Sequence, residues 1–300
     1  MTVDKNKVAA NFGKSANDYA EHAVLQKMVT ERLLERLQLV SIMPKVIVDA
    51  GSGTGGAARQ LKKMYRGAEV IQLDLSFDML CKARSLDSRF FSKQHFVCAD
   101  IEKLPLAKNV TELFFSSLML QWCNDLDVAF AQIKSTLKIQ GLFLFATLGP
   151  DTLKELRSSW AAVDDGVHVN TFMDMHDVGD ALVRAGFVEP VMDVENITMT
   201  YEDCFSLMKD LKVLGSSNAD IERRKSLTGK NKINDMIAAY ESFRVEGQLP
   251  ATYEIVYGHA WTPLQETVPG NVYGDLVNES YFPISSLKGT FKNRPKKRGK

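Results

Sequence analysis

The chain has 300 residues, of which 45% are hydrophobic and 25% are charged, proportions typical of a globular protein. Its 37 basic and 37 acidic residues balance, but six basic residues fall within the last nine positions, so the rest of the chain is mildly acidic. An acidic body argues against a general nucleic-acid-binding protein. We expect the basic C-terminal tail to be disordered, because no apolar residue follows Phe291.

The cysteines, the histidines and the N-terminus exclude further classes of protein. Four cysteines lie far apart without a CxxC pair, which fits a reducing compartment and argues against a disulfide scaffold or a zinc site. The five histidines show no metal-binding spacing. The N-terminus has mixed charge, unlike a signal peptide, and no apolar run approaches the ~18 residues that span a bilayer. We predict a cytoplasmic protein without a metal, nucleic-acid partner or membrane attachment.

The predicted elements alternate along the chain. Apolar residues spaced three and four apart predict an amphipathic helix over 20–40. Apolar runs predict strands over 46–48, 70–73, 96–99, 113–118, 141–148, 191–200 and 252–261. Further helices are expected from the glycine-rich loop to about residue 65, from Ser76, which caps its helix, and over 125–138, 151–162 and 174–185. This alternation predicts an α/β fold with a parallel sheet covered by helices on both faces.

The same pattern predicts how the chain is organised. The core is expected to be one α/β unit. The roughly 50 residues before the final strand are largely helical and are interpreted as an insertion over the sheet rather than a separate domain. The predicted segments are an N-terminal helical lid over 1–44, the core over 45–200, the helical insertion over 201–250, the last strand over 251–262 and a C-terminal extension over 263–300.

Acidic residues end the first three predicted strands. Asp49, Asp74 and Asp100 stand where ligands of open α/β sheets bind, outside the carboxyl ends of the strands. The loop after Asp49 also contains Gly51, Gly53 and Gly56, which satisfy the dinucleotide pattern GxGxxG. A carboxylate two residues before the first glycine would repel a pyrophosphate but favours the α-amino cation of S-adenosylmethionine. We therefore predict S-adenosylmethionine as the cofactor.

Each part of this cofactor has predicted partners. Asp74 is expected to accept from both ribose hydroxyls, and Asp100 from the exocyclic amine of adenine. Ile101 is expected to pack on the adenine ring, as is Met79 unless it is an ordinary core residue. Glycines in the loop let the backbone approach the amino-acid part of the cofactor. The remaining predicted cofactor-binding residues are Gln26, Asp49, Gly51, Gly53, Gly55, Leu75 and Leu118.

Several motifs carry a family resemblance. VDAGSGTG at 48–55, LDLS at 73–76 and ADIEKLPL at 99–106 resemble class I methyltransferases, which implies their seven-stranded Rossmann-like sheet. Longer segments resemble the malonyl-acyl carrier protein O-methyltransferases of biotin synthesis; they lie at 8–26, 116–126, 149–172, 186–195 and 249–261.

Two alternatives to this activity stay open. The segments DTLKELR at 151–157 and PATYEIVYG at 250–258, with the stretch at 201–219, also suit an arginine-modifying hydroxylase that assists assembly of a respiratory complex. FGKSANDY at 12–19 and HVN at 168–170 favour the methyltransferase. The second alternative is a protein that binds the cofactor without catalysing a reaction.

The resemblance implies methyl transfer to the free carboxylate of a malonyl thioester. A carboxylate is ionised at pH 7, so no general base is needed, whereas a dry site speeds a reaction that neutralises two charges. This predicts a lid and a cationic or hydroxyl anchor. Arg157 is the first candidate, because guanidinium pairs with carboxylate in a bidentate manner, although it could equally be a surface arginine. Tyr19 and His168 are further catalytic candidates, and Gln121 and Trp122 are candidates for binding the substrate.

The implied partner is an acyl carrier protein that presents the malonyl group on a phosphopantetheine arm. Because such carriers are expected to be acidic, a basic patch near the entrance would steer them. The best internal cluster is Arg223, Arg224 and Lys225, with Lys230 and Lys232 nearby. The basic tail is a weaker candidate.

Overall fold

The computed structural model describes residues 2–87, 93–215, 218–221 and 229–264. Its strands are β1 Val46–Ala50, β2 Glu69–Asp74, β3 Gln94–Cys98, β4 Thr111–Ser117, β5 Leu137–Leu148, β6 Val188–Tyr201 and β7 Leu249–Trp261. Its helices are α1 Lys5–Ser15, α2 Tyr19–His22, α3 Val24–Gln38, α4 Gly56–Met64, α5 Phe77–Ser85, α6 Leu126–Thr136, α7 Lys154–Ala161, α8 Met175–Arg184, α9 Cys204–Val213 and α10 Lys230–Tyr240. Short 3₁₀ turns lie at Ile101–Lys103, Leu120–Trp122 and Glu241–Phe243.

The strands form one sheet of seven, in the order β3-β2-β1-β4-β5-β7-β6. This confirms the predicted seven-stranded α/β fold. The first five strands are parallel, as expected, but β7 runs antiparallel to both β5 and β6. The expectation of a parallel sheet is therefore wrong for β7, whereas β6 runs in the same direction as the first five strands. Apolar runs alone do not reveal strand direction.

The direction of β7 places the segment that connects β6 to β7. Tyr201 at the end of β6 pairs with Leu249 at the start of β7, and Leu148 at the end of β5 pairs with Ile255 of the same strand. The chain between β6 and β7 therefore leaves and re-enters the sheet at the edge where the parallel strands end. Because ligands of such sheets bind at this edge, the helices α9 and α10 belong to the same end of the molecule as the predicted cofactor site.

Two apolar cores cover the two faces of the sheet. Along β4, Leu113 and Phe115 belong to the core beneath α3, α4 and α7, whereas Phe114 belongs to the core beneath α6 and α8. This alternation is the two-residue period of a strand with both faces buried. The rigid sheet fixes the strand ends, and so fixes the positions of the acidic residues that follow them.

Two local predictions differ from the structure. The helix expected over 20–40 is divided into α2 and α3, because the backbone of Ala23 leaves the helical region with ψ 52°. Ser76 stands at the N-cap of α5 but its side chain makes no capping hydrogen bond, so that prediction was wrong. The reason lies in Asp74, whose Oδ1 accepts from the Ser76 amide at 2.8 Å and orders this turn instead.

Several expectations fall on residues outside the described ranges. They are the basic tail with most of the C-terminal extension, and the basic residues Arg223, Arg224 and Lys225. The lid and insertion segments stay predictions. Among the helices that are described, none is long and apolar enough to cross a bilayer.

Candidate active site

A cavity of about 290 Å³ opens where the parallel strands end. Its floor is the glycine-rich loop after β1 and the ends of β2 and β4, and its other walls come from α1, α2, α3 and α9. Of the residues predicted for a site, those lining it are Tyr19, Gln26, Gly51, Gly53, Asp74, Leu75, Met79, Asp100, Ile101, Leu118, Gln121 and Trp122. Asp49, Gly55, Arg157 and His168 do not line it.

The glycine-rich loop is folded tightly against its neighbours. Gly51 has φ +71°, and a Cβ there would overlap the side chain of Met119, with Cγ only 2.6 Å away. The amide of Gly53 donates to Asp74 Oδ2 at 2.8 Å, which ties the loop to the end of β2. These contacts form a cradle with bare backbone toward the cavity, which suits the close approach of a ligand. Gly55, at φ +77°, instead provides the left-handed turn into α4.

Asp74 joins the loop to the cavity. Its two carboxylate oxygens accept from the amides of Gly53 and Ser76, each at 2.8 Å. Burial raises its pKa above the ordinary value, and these backbone donors counteract that effect. A carboxylate can accept about four hydrogen bonds, so Asp74 keeps acceptor capacity for a ligand hydroxyl.

Asp49 lies beneath the loop rather than in the cavity. Its side chain is 1% exposed, and Oδ2 has no hydrogen-bond partner among the described residues. Burial raises its pKa to about 7, with the Ala58 amide opposing the rise and the charge of Asp74 adding to it. An unsatisfied buried carboxylate favours a nearby cation. The site therefore fits the cationic amino-acid end of S-adenosylmethionine, through the electrostatic field of Asp49 rather than through direct contact.

Asp100 at the end of β3 is held by an ion pair that the sequence did not reveal. Lys5 of α1 lies 2.6 Å from its Oδ2 and 2.7 Å from an oxygen of Glu102. Burial lowers the pKa of Lys5, but the two carboxylates outweigh that effect and the pKa is raised overall. The N-terminal helix is thus fastened at the predicted adenine end of the cavity.

Aromatic side chains from the N-terminal segment cover the cavity. The ring of Phe12 lies edge-on to Tyr19, with centroids 6.2 Å apart, and to Trp122, at 5.6 Å. Burial and the charge of Asp74 raise the pKa of Tyr19, so its hydroxyl stays protonated. The arrangement places apolar rings and the Tyr19 hydroxyl beside the glycine loop, where a Cβ built on Gly53 would lie 3.8 Å from the Tyr19 ring.

Arg157 and His168 lie elsewhere. The guanidinium of Arg157 donates to the carbonyls of Pro150 and Thr152, at 2.8 and 2.9 Å, and so holds the loop before α7. The ring of His168 stacks on Trp160 at 3.8 Å. Its Nε2 lies 2.7 Å from a carboxylate oxygen of Asp164. The structure does not bring either residue to the cavity, because both are engaged in local contacts.

Other polar residues line the cavity and were missed in the sequence. The hydroxyl of Tyr201 donates to Asp210 at 3.0 Å and is hydrogen-bonded to the hydroxyl of Tyr253. Asn170 is 6% exposed, and its Oδ1 has no partner among the described residues. Asn170 is the last residue of the HVN motif at 168–170, in which His168 was the residue predicted for the site. The tyrosines carry no local signal, since they meet only through the pairing of β6 with β7.

The remaining predicted substrate residues lie at the end of β4. Gln121 donates to the carbonyl of Leu118 at 2.7 Å, and Trp122 closes the cavity against α1. The backbone of Leu118 is left-handed, with φ 54°, as is that of Leu153, which also lines the cavity. Such strained residues are concentrated at functional sites. No cluster of three or more potential metal ligands occurs in the described part of the chain.

Comparison with known proteins agrees with this architecture. The family model described as a methyltransferase domain matches residues 48–145. Two solved structures share the fold. The YcgJ protein of Bacillus subtilis aligns with a TM-score of 0.56 and 13% identity, over 77% of this chain and 97% of that one. A putative methyltransferase of Bacillus halodurans aligns with a TM-score of 0.56 and 14% identity, over 77% of this chain and 98% of that one.

Curated relatives are much more similar in sequence. A malonyl-(acyl-carrier protein) O-methyltransferase of Methylovorus sp. (strain MP688) is 50% identical over 266 residues, which cover 87% of this chain and 90% of that protein. Relatives with the same name from Gallionella capsiferriformans and Laribacter hongkongensis are 47% and 48% identical, and cover 88% and 87% of this chain and 92% and 90% of their own. With such identity over nearly its whole length, the chain belongs to the family of S-adenosylmethionine-dependent malonyl-(acyl-carrier protein) O-methyltransferases.

Proposed function

We propose that this enzyme transfers the methyl group of S-adenosylmethionine to the free carboxylate of a malonyl group carried by an acyl carrier protein, an early step of biotin synthesis. Membership of the family supports the reaction. The observation that carries the proposal is a single cavity with two chemically different ends. One end, at β1 and β2, holds the glycine loop and Asp74, and the other, toward β7 and β6, holds Tyr253 and Tyr201. Asn170 also lines the cavity.

The cofactor end is proposed to hold each part of S-adenosylmethionine as the sequence predicted. Asp74 accepts from the ribose hydroxyls, Asp100 faces the adenine amine, and Ile101 and Met79 pack on the ring. When bound, the cofactor supplies a methyl group on a sulfonium. The bare backbone at Gly51 and Gly53 sets the depth at which its amino-acid end lies, and Asp49 beneath the loop stabilises the positive charge.

The substrate end works without a general base, because the malonyl carboxylate is already ionised. Lys5 and His22 are the side chains among the described lining residues that can carry positive charge, and Lys5 is already paired with Asp100 and Glu102. A carboxylate here is therefore not trapped by a strong ion pair. We propose that hydroxyl and amide groups of Tyr19, Tyr253 and Asn170 orient it instead, in the role predicted for Arg157.

Exclusion of water completes the proposed mechanism. With the cofactor bound, methyl transfer would form a C–O bond to the carboxylate as the C–S bond breaks, and would neutralise both charges. A medium of low polarity favours that change, because water stabilises the separated ions more than the transition state. Phe12 and Trp122 provide such a medium above the reacting atoms. A cytoplasmic location remains a prediction, as does direct contact with the carrier protein.

The experiment combines the purified enzyme with radiolabelled cofactor and malonyl-carrier protein. Label is expected in a base-labile ester on the malonyl group. Retention of cofactor binding without ester formation would contradict the proposal and favour a non-catalytic binder. The arginine-modifying alternative predicts a changed arginine on a protein substrate; the relatives reported above give it no support.

A further inference from the structure

Part of the cavity lining lies at the protein surface. Of the described residues that line it, three are exposed: Glu21 and His22 of α2, and Val24 at the start of α3, which is 49% exposed. The other lining residues are half-buried or buried. We call the opening formed by Glu21, His22 and Val24 the mouth. A thioester on a long arm that entered the cavity here would leave the body of its carrier outside.

Helix α9 borders the mouth. Nδ1 of His22 lies 4.0 Å from an oxygen of Asp210, which belongs to α9 and lines the cavity. Leu211 and Leu214 line it too, so one face of this helix forms a cavity wall. The opposite face is at the protein surface, immediately beside the route by which an arm enters.

The outer face of α9 carries an aromatic residue and two lysines at helical spacing. Phe205 is 60% exposed, and Lys209 and Lys212 follow it by four and seven residues, which places all three along one stripe. Lys27 of α3 is also exposed, one turn after Val24 of the mouth. We call Lys27, Lys209 and Lys212 the mouth lysines.

The charges of the mouth lysines are available to a partner. None of the three forms an ion pair with a residue in the described ranges. Two acidic neighbours on α9 are already engaged: Asp203 accepts from the amide of Ser206 at 2.8 Å, and Asp210 accepts from Tyr201. Glu21 is the exposed acid of the mouth itself.

We propose that the outer face of α9, with Lys27 of α3, is the docking surface for the acidic face of the acyl carrier protein. This inference rests on the proposed function. Charge complementarity steers the partner and fixes its orientation. Phe205 gives the contact an apolar centre, and the position of the stripe beside the mouth lets the arm enter as the carrier docks.

The test reverses charge on this surface and compares two substrates. The double variant Lys209→Glu/Lys212→Glu is expected to raise KM for malonyl-carrier protein by roughly tenfold, in the range of losses at electrostatic rims, with kcat little changed. KM for malonyl-pantetheine, which lacks the carrier body, is expected to stay the same. The carrier reaction of the native enzyme should weaken with added salt, and the variant should lose most of that dependence.

The matched control is Lys45→Glu/Lys108→Glu. Lys45 and Lys108 are also exposed but precede β1 and β4, at the opposite edge of the sheet from the cavity. They should leave both KM values unchanged. The reverse substitution Glu21→Lys at the mouth should lower KM for malonyl-carrier protein.

Each outcome decides one question. Equal KM values for the carrier in the α9 variant and the control would overturn the docking surface, as would a parallel rise for malonyl-pantetheine. If the native enzyme forms no ester with malonyl-carrier protein and none with malonyl-pantetheine, the proposed function is overturned instead. In that event, direct binding of fluorescently labelled malonyl-carrier protein by the native chain and the α9 variant still tests docking, and equal affinities would refute it.

Discussion

Two glycines of the same motif should respond in opposite ways to a single added methyl group. Gly51 has φ +71°, and the Cβ of an alanine would overlap Met119, whose Cγ lies 2.6 Å from it. A left-handed backbone costs an alanine about 1–2 kcal/mol and overpacking adds about 1–3 kcal/mol, so Gly51→Ala should lose roughly 2–5 kcal/mol of unfolding free energy. The cofactor affinity should fall as well, because Gly51 lines the cavity.

Gly56 provides the matched control. It begins α4 with an ordinary φ, and a Cβ there meets nothing within 4 Å. Gly56→Ala should therefore stabilise the protein by about 0.5–1 kcal/mol, since alanine restricts the unfolded chain and favours the helix. Urea unfolding of both variants without cofactor, followed by circular dichroism, measures the difference. A Gly51→Ala variant as stable as the native protein would refute the reasoning from the loop geometry.

Three further predictions concern residues around the same loop. Asp74→Ala should weaken cofactor binding on the order of 100-fold, measured by calorimetry. The variant loses both the ribose acceptor and the hydrogen bond to Gly53, and each charge-assisted hydrogen bond contributes about 1.5–3 kcal/mol. Arg157→Ala should lower the melting temperature and malonyl turnover with little effect on cofactor affinity, because the carbonyls of Pro150 and Thr152 lose their donors. Arg157→Lys should restore these properties only partly, since an ammonium group does not reproduce the planar guanidinium. Since burial raises the pKa of Asp49 to about 7, stability without cofactor should fall as the pH rises from about 4 through 7, and Asp49→Asn should remove that fall.

Controls separate these effects from misfolding. Asp74→Asn retains the shape and one acceptor, so it should bind cofactor better than the alanine variant; equal loss in both would argue against the hydrogen bonds. Unchanged melting of Arg157→Ala would contradict its role in the loop. For Asp49 the sign follows from the direction of the shift: the folded state holds its proton to higher pH than the unfolded state, so ionisation costs stability. If the free energy of unfolding instead rises over this pH range in both the native protein and Asp49→Asn, other titrating groups dominate the pH dependence.

The cofactor end of the site was largely predictable from the sequence. A strand that ends in an acid and is followed by a glycine loop is a local pattern, and the sheet places every such strand end at one edge. For this reason Asp74, Asp100, Gly51 and Gly53 all line the cavity. Asp49, whose carboxylate favoured this cofactor class, is buried beneath the loop and does not line the cavity, so its effect on the cofactor stays a prediction.

The substrate end was decided by tertiary structure. Arg157 lies in a segment that resembles the family, but its two terminal guanidinium nitrogens donate to the carbonyls of Pro150 and Thr152. Tyr201 and Tyr253 are 52 residues apart and meet only because β7 runs antiparallel beside β6, where Thr198 pairs with Thr252 and Ile197 with Tyr253. The alternation of apolar and polar residues predicts that a strand exists and which faces it has. The partner of a strand, and the side chains that meet across its end, depend on packing between segments distant in the chain.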